Sequence, residues 1–210
     1  MKSKEKTRKL LLLSLFTAIE IVLMLTPLGY VPLGVIRATT LHIPVILAGI
    51  LLGKSSGALI GLVFGLTSLI INTLQPTATS FVFTPFIQIG GISGNFWSLI
   101  VVFVPRIFLG WFSGVLFEWF EKLKLGINKN IMITAILNTF IHSVLVLGMI
   151  YVFFGSTYAG VRNIAYEKLI WVLMGIVGTN GILEALLAAF VVLAIVKAVN
   201  PIFRRNQHEK

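Results

Sequence analysis

The sequence predicts an all-α membrane protein, a compact bundle of six transmembrane helices forming a single integral membrane domain over residues 1–210. Hydrophobic residues make up 57% of the chain and charged residues only 11%, against roughly 45–50% and 25% in soluble domains. The apolar residues fall in long runs, and a membrane span needs ~20 of them to cross ~30 Å of hydrocarbon. Six spans leave only short loops and tails, so the chain has no room for a separate soluble domain.

The first three helices are predicted from apolar runs that end at turn-forming residues. The first run follows a basic segment and lacks a small-residue cleavage site, which favours a retained helix over a signal peptide. The second run follows a loop containing Pro and Gly, and it spans only about 18 Å as a helix. Either it begins earlier, near Arg37, or its outer end stops inside the protein. A turn at 53–57 leads to the third helix, and the three predicted helices cover residues 10–28, 41–52 and 58–74.

The remaining three helices are predicted over residues 98–117, 131–154 and 168–199. A long loop, residues 75–97, precedes them and is rich in Pro, Thr, Ser and Gly with interleaved aromatic residues. Loops of this length in compact domains are often functional, so we expect it to fold back over the helices as a lid. Shorter polar segments, 118–130 and 155–167, separate the last three helices. The final helix is longer than a membrane requires, and we expect it to tilt or protrude.

The positive charges predict that both termini are cytoplasmic. An even number of helices places the termini on one side, and thirteen of the seventeen Lys and Arg residues then fall on that side, as the positive-inside rule expects. We therefore read residues 1–9 and 200–210 as cytoplasmic basic tails. The thirteen are Lys2, Lys4, Lys6, Arg8, Lys9, Lys54, Lys122, Lys124, Lys129, Lys197, Arg204, Arg205 and Lys210.

Polar side chains within the predicted helices indicate a binding site, because such groups are costly inside a bilayer. Arg106, His142 and Asn180 lie at comparable depths in three successive helices, and Asn138 is one turn from His142 on the same face. This arrangement predicts an outward-open pocket for a small neutral or anionic polar molecule. Residues near the covering loops complete the predicted substrate-binding set, which is Arg37, Phe83, Asn95, Arg106, Asn138, His142 and Asn180.

Structural roles are the alternative for each of these residues. Arg106 could form an ion pair with Glu184, and His142 and Asn138 could bridge helices through hydrogen bonds, as such residues do in membranes. Glu20, near the middle of the first helix, has no partner that the sequence identifies.

Catalytic and metal-binding patterns do not emerge from the sequence. It contains no cysteine and only seven carboxylates, and the HExxH and GxSxG motifs do not occur. The three histidines are too scattered along the chain to predict a metal site. We therefore expect a protein that binds a ligand, and neither an enzyme nor a self-energised pump.

Five segments together resemble the S components of energy-coupling factor (ECF) transporters, which capture vitamins for bacterial uptake. Each segment alone is only hydrophobic sequence, but the combination is characteristic and covers nearly the whole chain. The segments are GYVPLGVIRATTLHIPVILAGILLG (29–53), GALIGLVFGLTSLI (57–70), PRIFLGWFSGVLF (105–117), HSVLVLGMIYVFFG (142–155) and NGILEALLAAFVV (180–192).

The resemblance implies a multi-pass protein of the bacterial plasma membrane that works with other subunits. These are a membrane scaffold subunit, EcfT, and two cytoplasmic ATPases that use ATP, so this chain needs no cofactor of its own. In family members that share one such module, an Ala-x-x-x-Ala pattern on the first helix contacts the scaffold. The matching stretch here runs from Ser14 to Ala18, with serine in place of the first alanine. Small residues four apart allow a second helix to approach closely.

Pantothenate is the vitamin that the overall pattern favours. Its carboxylate could meet Arg106, and its hydroxyls and amide suit Asn138, His142 and Asn180. A buried arginine disfavours a cationic vitamin such as thiamine through Coulomb repulsion. Pyridoxine, hydroxymethylpyrimidine and folate are the alternatives within the family. A stand-alone secondary carrier or channel and an intramembrane enzyme are the rival classes.

Overall fold

The fold is a helical bundle with two small antiparallel hairpins. It is seen in a computed structural model that describes the backbone of residues 2–33 and 36–208 and the side chains of residues 5–29 and 39–199. The hairpins pair β1 (Tyr30–Leu33) with β2 (Ile36–Thr39) and β3 (Gln88–Ile89) with β4 (Ile92–Ser93). The helices are α1 (Lys2–Leu25), α2 (His42–Leu52), α3 (Lys54–Leu74), α4 (Phe96–Lys122), α5 (Ile127–Val161), α6 (Tyr166–Ile176) and α7 (Ile182–His208).

The predicted set of six helices is present, although the sixth is interrupted. A π-helical turn, Val177–Gly181, joins α6 and α7 into one continuous rod. Within the described part of the chain, α3, α4, α5 and the α6–α7 rod are long and apolar enough to cross a membrane. Helix α2 has only 11 residues, or about 16 Å, and cannot cross alone.

Several predicted boundaries in the first third of the chain are wrong. Helix α1 begins at Lys2 rather than near residue 10, so most of the basic tail is helical, and it ends at Leu25, two residues before Pro27. The predicted loop 29–40 contains the β1–β2 hairpin. Helix α2 begins at His42, so it does not extend back to Arg37, and the 2% exposure of His42 shows that its first turn lies inside the protein.

The later helices are longer than predicted because their ends carry polar residues beyond the apolar runs. The predicted segments 118–130 and 155–167 shrink to the turns 123–126 and 162–165. Glu, Lys and aromatic residues continue a helix once it leaves the hydrocarbon, so the end of an apolar run does not mark the end of the helix. For the same reason α7 continues to His208, and residues 200–208 are helical.

Helices α3 and α4 pack backbone against backbone along a seam of glycines. A Cβ added to Gly57 would lie 2.0 Å from the Gly110 carbonyl oxygen, and one added to Gly61 would lie 2.2 Å from that of Arg106. Only glycine permits this approach, which is how small residues spaced four apart bring helices together in membranes. The seam therefore fixes the depth and rotation of the helix that carries Arg106.

Two apolar clusters fill the interior. The first joins α1, α2, α3, α4, α5 and α7 and includes Leu41 and Phe64. The second lies toward the hairpins and is built around Phe81, Val101 and Phe154, with Phe83 packed at its edge. The two clusters leave a space where they meet, and the polar side chains of the helices gather there.

Candidate functional site: a polar cavity between the helices

A cavity of about 570 Å³ lies where the two apolar clusters meet. Leu41 and Phe64 of the first cluster and Phe83, Val146, Leu147 and Ile176 from the edge of the second supply its apolar wall. Its polar wall comes from α3, α4, α5, α7 and the loops. The polar residues are Thr39, Ser68, Asn72, Gln75, Thr77, Arg106, His142, Ser143, Asn180 and Glu184.

The Arg106 guanidinium is held in place by a proline one residue earlier. Pro105 has no backbone N–H, so the Val101 carbonyl lacks its usual helical donor. The Arg106 Nη1 donates to that oxygen at 2.7 Å. The guanidinium also lies over two rings, 5.5 Å from the centroid of Phe64 and 5.1 Å from that of Phe83, within cation–π range. Arg106 is only 7% exposed, so a desolvated positive charge lines the cavity.

His142 belongs to a polar stripe on α5 that bonds to the backbone of α4. Its Nδ1 lies 3.2 Å from the Pro105 carbonyl oxygen. Because a carbonyl only accepts, Nδ1 carries the proton, and the neutral ring then presents Nε2 as an acceptor. One turn below His142, Asn138 donates in the same way to the Leu109 carbonyl at 2.7 Å. About three turns below His142, Asn130 donates to the Phe117 carbonyl at 3.1 Å.

The structure separates Asn138 from the other predicted ligands. Its side chain is fully buried, one turn below His142, and it does not line this cavity. Its contact with Leu109 is the helix-bridging hydrogen bond that the sequence left as an alternative. Asn95 also lies elsewhere, since it caps the start of α4 by accepting from the Trp97 N–H at 2.9 Å.

Phe83 and Asn180, both in the predicted set, line the cavity from a loop and from the π-helical turn. π-helical turns often occur at functional sites, because the extra residue reorients neighbouring side chains. Arg37 has its backbone in β2, opposite Pro32, and its side chain lies outside the described residues.

The long loop before α4 is anchored rather than loosely laid over the helices. The Ser80 hydroxyl donates to Asn72 Oδ1 at 2.7 Å, and the Ser98 hydroxyl donates to the Phe81 carbonyl at 2.7 Å. Phe81 itself is 1% exposed, inside the second apolar cluster. The loop therefore folds back as expected, and its burial holds Phe83 against Arg106.

Glu184 also lines the cavity, and the hydrogen bonds described for its side chain come from Thr39. Its Oε1 accepts from the Thr39 N–H at 2.8 Å and from the Thr39 hydroxyl at 2.9 Å. The contacts of the guanidinium include the Val101 carbonyl and the two phenyl rings. Helix α7 is thus tied to β2, and the two charged groups both face the cavity.

Sequence reasoning missed the polar face of α3. Ser68, Asn72 and Gln75 recur at helical spacing near the end of that helix and share one wall of the cavity. The signal was present, since polar residues at i, i+4 and i+7 in an otherwise apolar helix mark a single face. Thr39, Thr77 and Ser143 carried no comparable signal.

The residues predicted for scaffold contact and the unassigned Glu20 lie on opposite faces of α1. Ser14 and Ala18 are both exposed, and the Ser14 hydroxyl donates to the Leu10 carbonyl within its own helix. Glu20 is fully buried, and neither of its oxygens has a hydrogen-bond partner among the described residues. No three His, Asp or Glu side chains in that same part of the chain come close enough to share a metal ion.

Comparison with known proteins identifies the family. A family model described as "ECF transporter, substrate-specific component" matches residues 8–196. The chain belongs to this family. It is a multi-pass protein of the bacterial cell membrane that serves transport rather than catalysis, and its family works with a vitamin substrate and an ECF module.

Two relatives of this ECF substrate-specific component carry names that state a ligand. The chain is 36% identical over 200 residues to "Pantothenic acid transporter PanT" of Lactococcus lactis subsp. cremoris, covering 93% of this chain and 95% of the relative. It is 31% identical over 216 residues to "Pantothenate transporter PanT" of Leuconostoc mesenteroides subsp. mesenteroides, covering 97% of each.

Proposed function

We propose that this chain binds pantothenate in the cavity around Arg106 and passes it inward after docking on an ATP-driven module. The observation that carries the proposal is the buried guanidinium, framed by Phe64 and Phe83, on the wall of a cavity of about 570 Å³. Ligand pockets commonly enclose ~300–1,000 Å³, so the space suits a small vitamin. The names of the two PanT relatives support the same ligand.

The chemistry of the cavity matches the groups of pantothenate. Its carboxylate pairs with Arg106 in a desolvated setting, where charge-assisted hydrogen bonds are strongest. Its hydroxyls and amide offer donors to His142 Nε2 and exchange hydrogen bonds with the amides of Asn72 and Asn180. Its geminal methyl groups pack on the apolar wall that includes Leu147 and Ile176.

We further propose a topology of six membrane-embedded helices with both termini in the cytoplasm. This orientation is supported by the sequence, because thirteen of the seventeen basic residues fall in the segments that it makes cytoplasmic. The cavity and both hairpins then lie toward the outside, where the vitamin is captured. Helix α2 completes the set as a short helix whose first turn is buried inside the protein.

The proposed partners are the scaffold subunit EcfT and two cytoplasmic ATPases. The exposed positions Ser14 and Ala18 on α1 allow a scaffold helix to pack closely, where lipid provides no hydrophobic driving force. In this scheme the loaded subunit docks, reorients in the bilayer and releases its ligand inward. ATP hydrolysis by the partner subunits resets the cycle.

Calorimetric titration of the purified full-length chain tests the ligand assignment. Pantothenate is compared with panthenol, in which a hydroxymethyl group replaces the carboxylate. We expect Arg106→Gln to weaken pantothenate binding by about 2 kcal/mol or more, since truncating a buried charged pair commonly costs ~2–5 kcal/mol. Panthenol binding is expected to change much less.

Arg162→Gln is the matched control, because Arg162 is exposed in the turn after α5 and does not line the cavity. The proposal would be refuted if the wild-type protein did not bind pantothenate. It would also be refuted if Arg106→Gln reduced the affinities for pantothenate and panthenol equally. Mass spectrometry of the molecule retained on purification would then identify the actual ligand.

A further inference from the structure

Glu184 is unexpected in this cavity because it places a carboxylate where an anion is proposed to bind. Its Oε1 accepts two hydrogen bonds from Thr39, at 2.8 and 2.9 Å. Hydrogen bonds donated to a carboxylate oxygen stabilise its ionised form. Of the described residues that line the cavity, Arg106 and Glu184 are the two whose side chains are formally charged at neutral pH. One cavity therefore presents one positive and one negative group.

We infer that Glu184 determines specificity by admitting a monocarboxylate with a hydroxyl-bearing far end and rejecting the phosphate ester of the same compound. The inference rests on the proposed function, in which the ligand carboxylate occupies Arg106. A carboxylate offers about four acceptor positions, and Thr39 uses two of them. Glu184 can therefore accept a ligand hydroxyl, beside Asn180 one turn earlier on the same wall.

The same arrangement opposes a ligand that is anionic at both ends. In the 4′-phosphate ester of pantothenate, a phosphate replaces the terminal hydroxyl. If the carboxylate pairs with Arg106, the phosphate faces Glu184; if the ligand reverses, the carboxylate faces Glu184. Among the residues whose side chains the structure describes, the other polar ones on that wall, Thr39, Ser143 and Asn180, carry no charge to compensate. Either orientation brings like charges together inside a protein-lined cavity, where their repulsion is stronger than in bulk water.

Competitive displacement of labelled pantothenate from the purified full-length chain tests the inference. We expect the wild-type protein to bind the phosphate ester on the order of 100-fold more weakly than pantothenate, because charges of the same sign that face each other in an interface weaken binding by this order. Glu184→Gln keeps an oxygen that can accept from Thr39 but removes the charge. This variant is expected to bind pantothenate more weakly and the ester more tightly. The ratio of the two affinities should therefore fall by about tenfold or more.

Glu167→Gln is the matched control, since Glu167 is exposed at the start of α6 and does not line the cavity, and it is expected to leave both affinities unchanged. The inference would be overturned if the wild-type protein bound pantothenate and its phosphate ester equally well. It would also be overturned if a folded Glu184→Gln variant kept the wild-type ratio of the two affinities. Neither result would contradict pantothenate binding itself. The wild-type comparison decides even if the variant does not fold. If the wild-type protein does not bind pantothenate at all, both the proposed function and this inference are refuted.

Discussion

The seam between α3 and α4 leads to a quantitative prediction for Gly110→Ala. A Cβ at this position would lie 1.9 Å from the Gly57 carbonyl oxygen, and ordinary van der Waals contact begins near 3.4 Å. The contacted atom belongs to the backbone of α3, so no side-chain rotation can relieve the clash. The two helices must separate locally by roughly 1.5 Å.

This displacement should reach the cavity, because Gly110 lies one turn after Arg106 on the same face of α4. Overpacking a tight interior commonly costs ~1–3 kcal/mol, and a backbone clash belongs at the upper end. For a chain of 150–250 residues, each kcal/mol lowers the melting temperature by about 2–4 °C. We therefore expect Gly110→Ala to lower it by about 5–10 °C.

Thermal unfolding in detergent, followed by calorimetric titration below the transition, measures both effects. We expect ligand affinity to fall by about tenfold, since binding sites tolerate misplacement of only ~0.5 Å in their charged groups. Gly148→Ala is the control, because a Cβ there meets no atom within 4 Å and alanine favours the helix. A Gly110→Ala variant as stable as wild type, with unchanged affinity, would refute the reasoning.

Three further predictions concern the predicted site residues. Asn138→Ala removes a buried inter-helix hydrogen bond, so thermal unfolding should show that the free energy of unfolding falls by about 1–3 kcal/mol. Because Asn138 does not line the cavity, titration should find a ligand affinity within about threefold of wild type. Phe83→Ala removes a cation–π contact with Arg106 worth ~0.5–2 kcal/mol, so ligand affinity should fall. A titration that finds no loss of affinity would contradict this role. Leucine at Ser14 or Ala18 should block co-purification with the scaffold and leave stability and ligand binding intact, because both side chains are exposed; equal losses of stability would instead indicate internal packing.

Particular residues show why the sequence reached only part of the site. Arg106, His142 and Asn180 were identifiable because a polar group is costly within an apolar run, whichever way the helix faces. Asn138 met the same criterion, but its depth below His142 and its bond to Leu109 follow from how α5 packs on α4. The alternative ion pair of Arg106 with Glu184 could not be resolved from spacing, because Thr39, which bonds Glu184, is distant along the chain.

The sequence by itself determined that the chain resides in the membrane, how many helices it forms and to which family it belongs. These properties follow from local composition, run length and motif, which need no knowledge of contacts. Only the tertiary structure decided where the helices end, which polar residues share the cavity and how closely α3 and α4 approach. Those features depend on contacts between residues far apart in the chain, such as Gly57 with Gly110, and hydropathy along the chain does not encode them.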